Sequence, residues 1–121
     1  MVRVLIGDDN KGLRDSLVNY LNLVCKVEVE EFASGEALIE RAKTLNYAAV
    51  FTDYDYGIEG IINGIDVVRQ IRMYNPDVPI YLVTGEFDAE EKFGSTPGLT
   101  GIILKIEGIE KIEKVLKNLK Y

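Results

Sequence analysis

Short apolar runs recur along this chain, and the segments between them carry apolar residues at every third or fourth position. Four of the runs are bounded by Gly, Pro or Asp and are too short for an ordinary helix, so each is predicted to be a buried strand. They cover residues 2–7, 48–52, 80–83 and 101–104. A fifth segment, 26–30, alternates polar and apolar residues, which is typical of a strand with one solvated face at a sheet edge.

The segments between the strands predict amphipathic helices, because their apolar residues fall on one face at the helical period. Ser34 and Asn63 are expected to open the second and third helices, and Asn75 with Pro76 to end the third. The four apolar stripes are Leu13, Leu17, Leu21 and Val24; Leu38, Ala42 and Leu45; Ile65, Val68 and Ile71; and Ile109, Ile112, Leu116 and Leu119. Each stripe is predicted to form one buried helix face.

The segment 88–101 predicts a short fourth helix followed by a loop, because the run from Phe93 to Gly98 contains two glycines and a proline. Asp88 is expected to cap this helix together with Glu91. Strand and helix thus alternate five times, which predicts an α/β fold with a doubly wound, five-stranded parallel sheet. Five units are too few for an eight-stranded barrel, and ligands of open sheets bind beyond the carboxyl ends of the strands.

Composition narrows the possible functions. The chain has 121 residues, a net charge of -6, no histidine and a single cysteine, Cys25. This length predicts one domain over residues 1–121, and the acidic balance makes direct nucleic-acid binding unexpected. The apolar run 2–7 is too short for a signal peptide or a membrane span, so we expect a cytoplasmic protein in which Cys25 is a core side chain. Because the chain has no histidine, the chemistry open to it is that of carboxylates, hydroxyls and lysines.

Polar residues stand at the carboxyl ends of four predicted strands, where a parallel sheet brings them together. They are Asp8 and Asp9 after the first, Asp53 after the third, Thr84 after the fourth and Lys105 after the fifth. Clustered carboxylates repel one another unless a cation compensates, and a few hard oxygen ligands suit Mg2+. A carboxylate beside Mg2+ can act as a nucleophile toward phosphorus, while a lysine and a hydroxyl stabilise phosphoryl oxygens.

The same residues resemble a known family over essentially the whole chain. The pair Asp8-Asp9, the run Ala49 to Asp53, Val83-Thr84-Gly85 and Leu104-Lys105 resemble the receiver domain of response regulators in two-component signalling. The resemblance implies a flavodoxin-like sheet in the order 2-1-3-4-5. It also implies that Asp53 is the phosphoacceptor.

The resemblance further implies a site for Mg2+, or Mn2+, in which Asp9 and Asp53 are direct ligands. Asp8 would act through water, and the backbone carbonyl of Asp55 would complete the protein's share of the metal shell. Thr84 would be the hydroxyl that moves to the phosphoryl oxygen and Lys105 its cationic partner, while Gly85 would leave space for the phosphoryl group.

The resemblance to receiver domains also implies partner proteins. A sensor histidine kinase or a histidine phosphotransfer protein would donate the phosphoryl group, and an unidentified downstream protein would receive the signal. The chain would then be a stand-alone receiver without an output domain, a monomer or weak dimer. Its chemistry would be limited to self-catalysed phosphotransfer and autodephosphorylation, so we do not expect an enzyme acting on other substrates.

Three positions differ from the family pattern. Ile106 replaces the usual proline after the lysine, and a non-proline cis bond costs about 3 kcal/mol, so a trans peptide is expected there. Ile102 replaces the usual aromatic residue, which predicts an unusual output surface. The loop 54–64 lacks the usual Met-Pro pair and is somewhat long, and Asp55 and Glu86 occupy the positions that tune the lifetime of the acyl phosphate.

Two other hypotheses use the same residues. The departures at Ile102 and Ile106 are compatible with a receiver-like binding module that acts without phosphorylation. Alternatively, Asp53 and Asp55 form a D-x-D pair, the nucleophile and acid of a haloacid-dehalogenase-like phosphatase. That motif normally follows the first strand, and the chain has no insertion large enough for the cap domain of such an enzyme.

Overall fold

Strands and helices alternate along the whole described part of the chain, residues 2–57 and 60–119 of the computed structural model. The strands are β1 Val2–Gly7, β2 Val27–Phe32, β3 Ala49–Asp53, β4 Ile80–Thr84 and β5 Gly101–Leu104. The helices are α1 Lys11–Val24, α2 Gly35–Ala42, α3 Gly64–Arg72, α4 Ala89–Phe93 and α5 Ile109–Asn118, with a single 3-10 turn over Lys105–Glu107. This confirms the predicted alternation.

All five strands are parallel and lie in the order β2-β1-β3-β4-β5. The doubly wound α/β fold and its strand order are therefore confirmed. β3 is central and all five of its residues are buried. β2 lies at an edge, as its alternation predicts, and its solvated side is covered by ion pairs that include Arg3 with Glu28 at 3.1 Å and Arg41 with Glu30 at 2.8 Å.

Two apolar layers cover the sheet, as expected for a doubly wound fold. One contains residues of α1 and α5, among them Leu21 and Leu116, and also the buried Cys25, which is a core side chain as predicted. The other contains residues of α2 and α3, among them Leu38 and Val68. No helix within 2–57 and 60–119 is long and apolar enough to cross a membrane.

The helix starts are only partly as predicted. Ser34 caps α2 by accepting from Ala37 N at 3.1 Å, and Asn63 forms a capping box at the start of α3. The predicted cap of α4 is wrong, because the Asp88 side chain makes no capping hydrogen bond. Asp88 does not have the extended backbone of an N-cap, and its carboxylate faces Lys92 at 3.7 Å instead.

Three end residues of two apolar stripes are not buried. Leu13 and Val24 are at the two ends of α1 and are 36% and 38% exposed, and Leu45 lies beyond the end of α2 and is 56% exposed. The middle of each stripe does reach the sheet, as Leu17 and Leu21 show. A helical period extrapolated to the ends of a helix thus overestimates the buried face, because the last turns project past the sheet.

Candidate metal centre

The four predicted strand ends meet at the carboxyl edge of the sheet. Asp8 directly follows β1, Asp53 and Thr84 are the last residues of β3 and β4, and Lys105 directly follows β5. Asp9, Asp53, Thr84 and Lys105 line one cleft of about 450 Å³ at this edge. The central prediction, that these side chains converge, is therefore confirmed by geometry.

Three carboxylates lie close together at this edge, two of them in the lining of the cleft. One oxygen from each of Asp8, Asp9 and Asp53 can be chosen so that all three lie within 4.8 Å of one another. Asp8 and Asp53 are buried, whereas Asp9 is exposed, so the group is open toward solvent on one side. Oxygen ligands on one side and solvent on the other fit Mg2+, which retains several water ligands in proteins.

Lys105 supplies the positive charge at the bottom of the cleft. Its Nζ atom lies 3.1 Å from Asp53 Oδ2 and 3.5 Å from Asp8 Oδ2. The Lys105–Ile106 peptide bond is trans, as predicted from the absence of proline. Two features shape the 3-10 turn at Lys105–Glu107 in the absence of a proline. Leu104 N donates to Glu107 Oε1 at 2.9 Å, and Gly108 continues the chain with a φ of 79°.

The buried charges shift each other's ionisation. Burial, followed by the charge of Asp8, raises the pKa of Asp53 to about 6, although Lys105 acts in the opposite direction. Burial alone would lower the pKa of Lys105, but the carboxylates of Asp53 and Asp8 outweigh it and raise that pKa. Three aspartates thus lie beside one lysine, and a divalent cation would compensate the charge that this lysine leaves.

Thr84 is buried at the wall of the cleft, with its hydroxyl in a turn. Its Oγ1 atom accepts a hydrogen bond from Glu86 N at 3.2 Å, and Glu86 in turn pairs with Lys92 of α4 at 2.9 Å. A Cβ atom added at Gly85 would meet no atom within 4 Å. The wall beside Thr84 is therefore open at Gly85, as expected if a phosphoryl group is to enter there.

The loop after β3 brings Asp55 and Gly57 to the same cleft. Asp55 N points to Asp53 Oδ1 at 3.4 Å, and the Asp55 carboxylate accepts from Gly57 N at 2.8 Å. Gly57 has a φ of 81°, and a Cβ atom there would lie 2.6 Å from Asp9 Oδ2. Glycine is needed at this position both for its backbone and for the close approach of Asp9.

One residue of this loop was not singled out by sequence reasoning. The Tyr56 side chain is only 5% exposed and its hydroxyl lies 2.7 Å from Thr52 Oγ1. The available signal was the tyrosine between Asp55 and Gly57, because a tyrosine can bury a large apolar ring when its hydroxyl finds a partner.

The parallel sheet with three aspartates, a threonine and a lysine at its carboxyl edge has the architecture of the receiver domains of two-component signalling. The family model for the response regulator receiver domain matches residues 4–117, and the chain belongs to this family. The flavodoxin-like sheet order agrees with this assignment.

Individual relatives show the same likeness. The chain is 27% identical over 120 residues to the transcriptional regulatory protein ComA of Bacillus subtilis, covering 96% of this chain and 55% of ComA, so it spans about half the length of that relative. The structure of Vibrio cholerae chemotaxis protein CheY4 superposes with a TM-score of 0.84 at 26% identity, covering 99% of both chains. Response regulator TrrA of Thermotoga maritima, crystallised with Mg2+ and BeF, shares the fold with a TM-score of 0.85 at 23% identity, covering 99% of this chain and 100% of TrrA.

Proposed function

We propose that this receiver domain accepts a phosphoryl group on Asp53 in a reaction that depends on Mg2+, or on Mn2+ in its place. The observation that carries the proposal is the position of Asp53, nearly buried at the end of the central strand, with Lys105 Nζ 3.1 Å away and two further aspartates beside it. A buried carboxylate in this setting is accessible only from the cleft, so an incoming phosphoryl group and its donor must approach from there.

Asp53 is the nucleophile in this proposal. One of its carboxylate oxygens forms a bond to phosphorus while the bond from phosphorus to the donor breaks, and the donor leaves with that electron pair. Lys105 donates a hydrogen bond to the Asp53 carboxylate, so its ammonium group is close enough to stabilise negative charge on the phosphoryl oxygens as well. Thr84 offers its hydroxyl from the wall of the cleft, and the open space at Gly85 admits the transferred group.

The metal would be held by the carboxylates of Asp8, Asp9 and Asp53, with Asp8 acting through water, and by the backbone carbonyl of Asp55. When bound, Mg2+ neutralises the carboxylates and the phosphoryl oxygens, so that nucleophile and phosphate can approach each other. The three aspartates beside a single lysine support this assignment. Burial first, and then the charge of Asp8, raise the pKa of Asp53.

A histidine kinase or a histidine phosphotransfer protein is the proposed donor, as for receiver domains in general. The domain would then signal through contacts with a further protein or pass the phosphoryl group on, rather than convert an external substrate. The acidic net charge of -6 supports protein contacts over direct nucleic-acid binding, and the single cysteine, which permits no internal disulfide, is consistent with the proposed cytoplasmic location. We propose that the domain is a monomer or weak dimer.

The alternative hypotheses have weaker support. The D-x-D phosphatase needs Asp55 as an acid facing the substrate, but its carboxylate accepts a hydrogen bond from Gly57 N within its own loop. A binding module without phosphorylation would have no need for the approach of Lys105 to both Asp53 and Asp8, which persists although Ile106 replaces proline.

The proposal is tested by incubating the protein with acetyl phosphate and measuring its intact mass. The wild type is expected to gain one phosphoryl group with Mg2+ and none with EDTA. Asp53→Asn should gain none, whereas Asp77→Asn, which alters an exposed aspartate at the opposite edge of the sheet, should behave as the wild type. A wild type that stays unlabelled with Mg2+, or an Asp53→Asn variant labelled equally well, contradicts the proposal.

A further inference from the structure

Tyr56 is a buried residue between two exposed neighbours in the loop after β3. Asp55 and Gly57 are exposed, yet Tyr56 is 5% exposed and belongs to the apolar layer between the sheet and helices α2 and α3. That layer also contains Leu5 and Leu38. The Tyr56 side chain therefore attaches the segment 55–57 to the core.

The hydroxyl of Tyr56 begins a short chain of hydrogen bonds. It lies 2.7 Å from Thr52 Oγ1, and Thr52 Oγ1 donates to the backbone carbonyl of Asp53 at 2.9 Å. A threonine hydroxyl has one proton, so Tyr56 is the donor to Thr52. Both residues are buried, where an unpaired hydroxyl would be costly.

The backbone of β1 makes room for this hydroxyl. Gly7 is paired with Thr52 in the sheet, and a Cβ atom at Gly7 would collide with the Tyr56 hydroxyl. The backbone of Gly7 does not have a positive φ, so the need for glycine here is one of space. Gly7, Thr52 and Tyr56 thus form one packed unit, which we call the Tyr56 anchor.

Each member of the Tyr56 anchor is next to a residue of the metal site. Gly7 directly precedes Asp8, Thr52 directly precedes Asp53, and Tyr56 directly follows Asp55. We propose that Tyr56 is a positioning residue, which fixes the loop 55–57 against the site aspartates and thereby sets the affinity for Mg2+. This inference rests on the proposed function, because it assumes that the aspartates bind the metal.

The contacts on either side of Tyr56 explain how the anchor acts on the site. Asp55 N faces Asp53 Oδ1, and Gly57 lies against Asp9 Oδ2. Mg2+ requires a near-ideal octahedral arrangement, and partners behind the direct ligands affect metal affinity strongly. A loop that is already ordered loses less conformational entropy when the metal binds.

The test is isothermal titration of Mg2+ into purified variants, with urea unfolding measured in parallel. Tyr56→Phe keeps the ring but removes the hydroxyl, and it is expected to weaken Mg2+ binding by about two- to tenfold, the effect of one net hydrogen bond. Ile71→Val is the control, because it removes a methyl group from the same apolar layer away from the loop. It should lose comparable stability and keep the wild-type Mg2+ affinity.

A second pair of variants tests the packing. Gly7→Ala should weaken Mg2+ binding through its collision with the Tyr56 hydroxyl, and the double variant Gly7→Ala/Tyr56→Phe should bind more tightly than Gly7→Ala alone. The double variant should relieve the collision because it lacks the hydroxyl oxygen. The next ring atom, Cζ, lies 3.3 Å from the Cβ position, and the other close atom is the flexible end of Leu38.

The outcomes separate the two claims. The role of Tyr56 is overturned if the wild type binds Mg2+ and is phosphorylated but Tyr56→Phe keeps its Mg2+ affinity. It is also overturned if Ile71→Val loses as much Mg2+ affinity as Tyr56→Phe. Both results leave the proposed function standing. A wild type that binds no Mg2+ overturns both.

Discussion

The ammonium group of Lys105, directly after β5, contacts the carboxylate of Asp53 at the end of β3 at 3.1 Å, across the intervening strand β4. The contact forms although the peptide bond after Lys105 is trans and Ile106 stands where related proteins have proline. A 3-10 turn closed by Glu107 and Gly108 directs the lysine instead. In this chain Lys105 therefore reaches Asp53 without a proline after it.

Removal of Lys105 should destabilise the protein when no metal is present. In Lys105→Gln, the carboxylates of Asp53 and Asp8 lose their nearest cation while they stay buried, so the free energy of unfolding in EDTA at neutral pH is expected to fall by roughly 1–3 kcal/mol. The estimate is below that for a fully buried pair, because the Lys105 side chain is 33% exposed.

Lys43→Gln is the matched control for this measurement by urea unfolding. Lys43 pairs with Glu40 at 3.0 Å on the surface, and loss of such an exposed pair is expected to change the free energy of unfolding little. Equal losses of stability in the two lysine variants would show that the Lys105 charge does not compensate the buried aspartates.

The ionisation of Asp53 should make stability depend on pH. Burial, with the charge of Asp8 as the second cause, raises the pKa of Asp53 from 3.8 to about 6, so the folded state binds this proton more tightly than the unfolded chain. The contribution of Asp53 to the free energy of unfolding is then fully present below about pH 4 and is lost as the pH rises through about 6.

Asp53→Asn cannot ionise and should escape this loss. In metal-free buffer near pH 7 it is expected to be more stable than the wild type by roughly 1–3 kcal/mol, and the difference should disappear near pH 4. Asp77→Asn, at an exposed aspartate, should show no such pH-dependent gain. A wild type that is more stable than Asp53→Asn at neutral pH without metal would contradict the prediction.

The close approach of Gly57 to Asp9 predicts a specific effect on metal binding. Gly57→Ala and Gly98→Ala both place a side chain on a backbone with positive φ, 81° and 86° respectively, and each is expected to lose roughly 1 kcal/mol of stability or more. Only Gly57→Ala directs its new Cβ at Asp9 Oδ2, so only this variant should bind Mg2+ about tenfold more weakly or worse.

Calorimetric titration of both glycine variants measures this difference directly. A loss of Mg2+ affinity shared by Gly98→Ala would mean that general strain, rather than contact with Asp9, controls the site.

The sheet and the ends of its strands could be predicted from the sequence because period and punctuation are local properties. Parallel strands then bring their carboxyl ends together by topology, so the convergence of Asp53, Thr84 and Lys105 required no knowledge of side-chain packing. The alternation of β2 likewise revealed its edge position. These predictions depend only on the order of residue types along the chain, which can be read directly from the sequence.

The remaining features depend on backbone angles and side-chain contacts that apolar periodicity does not predict. Asp88 was expected to cap α4, but its backbone is not extended and its carboxylate faces Lys92, four residues further on. Tyr56 was not singled out in loop 54–64, and the space left by Gly7 of β1, together with the hydroxyl of Thr52, allows it to be buried. The first outcome depends on the φ and ψ angles of a single residue, and the second depends on a glycine in a distant strand.

Chemical location of the phosphoryl group tests the account most directly. Borohydride reduces an aspartyl phosphate to homoserine, so protein treated with acetyl phosphate and Mg2+, reduced and digested, can be examined by tandem mass spectrometry. The account predicts homoserine at position 53 and none at positions 8, 9 or 55, with no homoserine when EDTA replaces Mg2+. Homoserine at another aspartate, or an unreduced Asp53 in a protein that carries the phosphoryl mass, would contradict it.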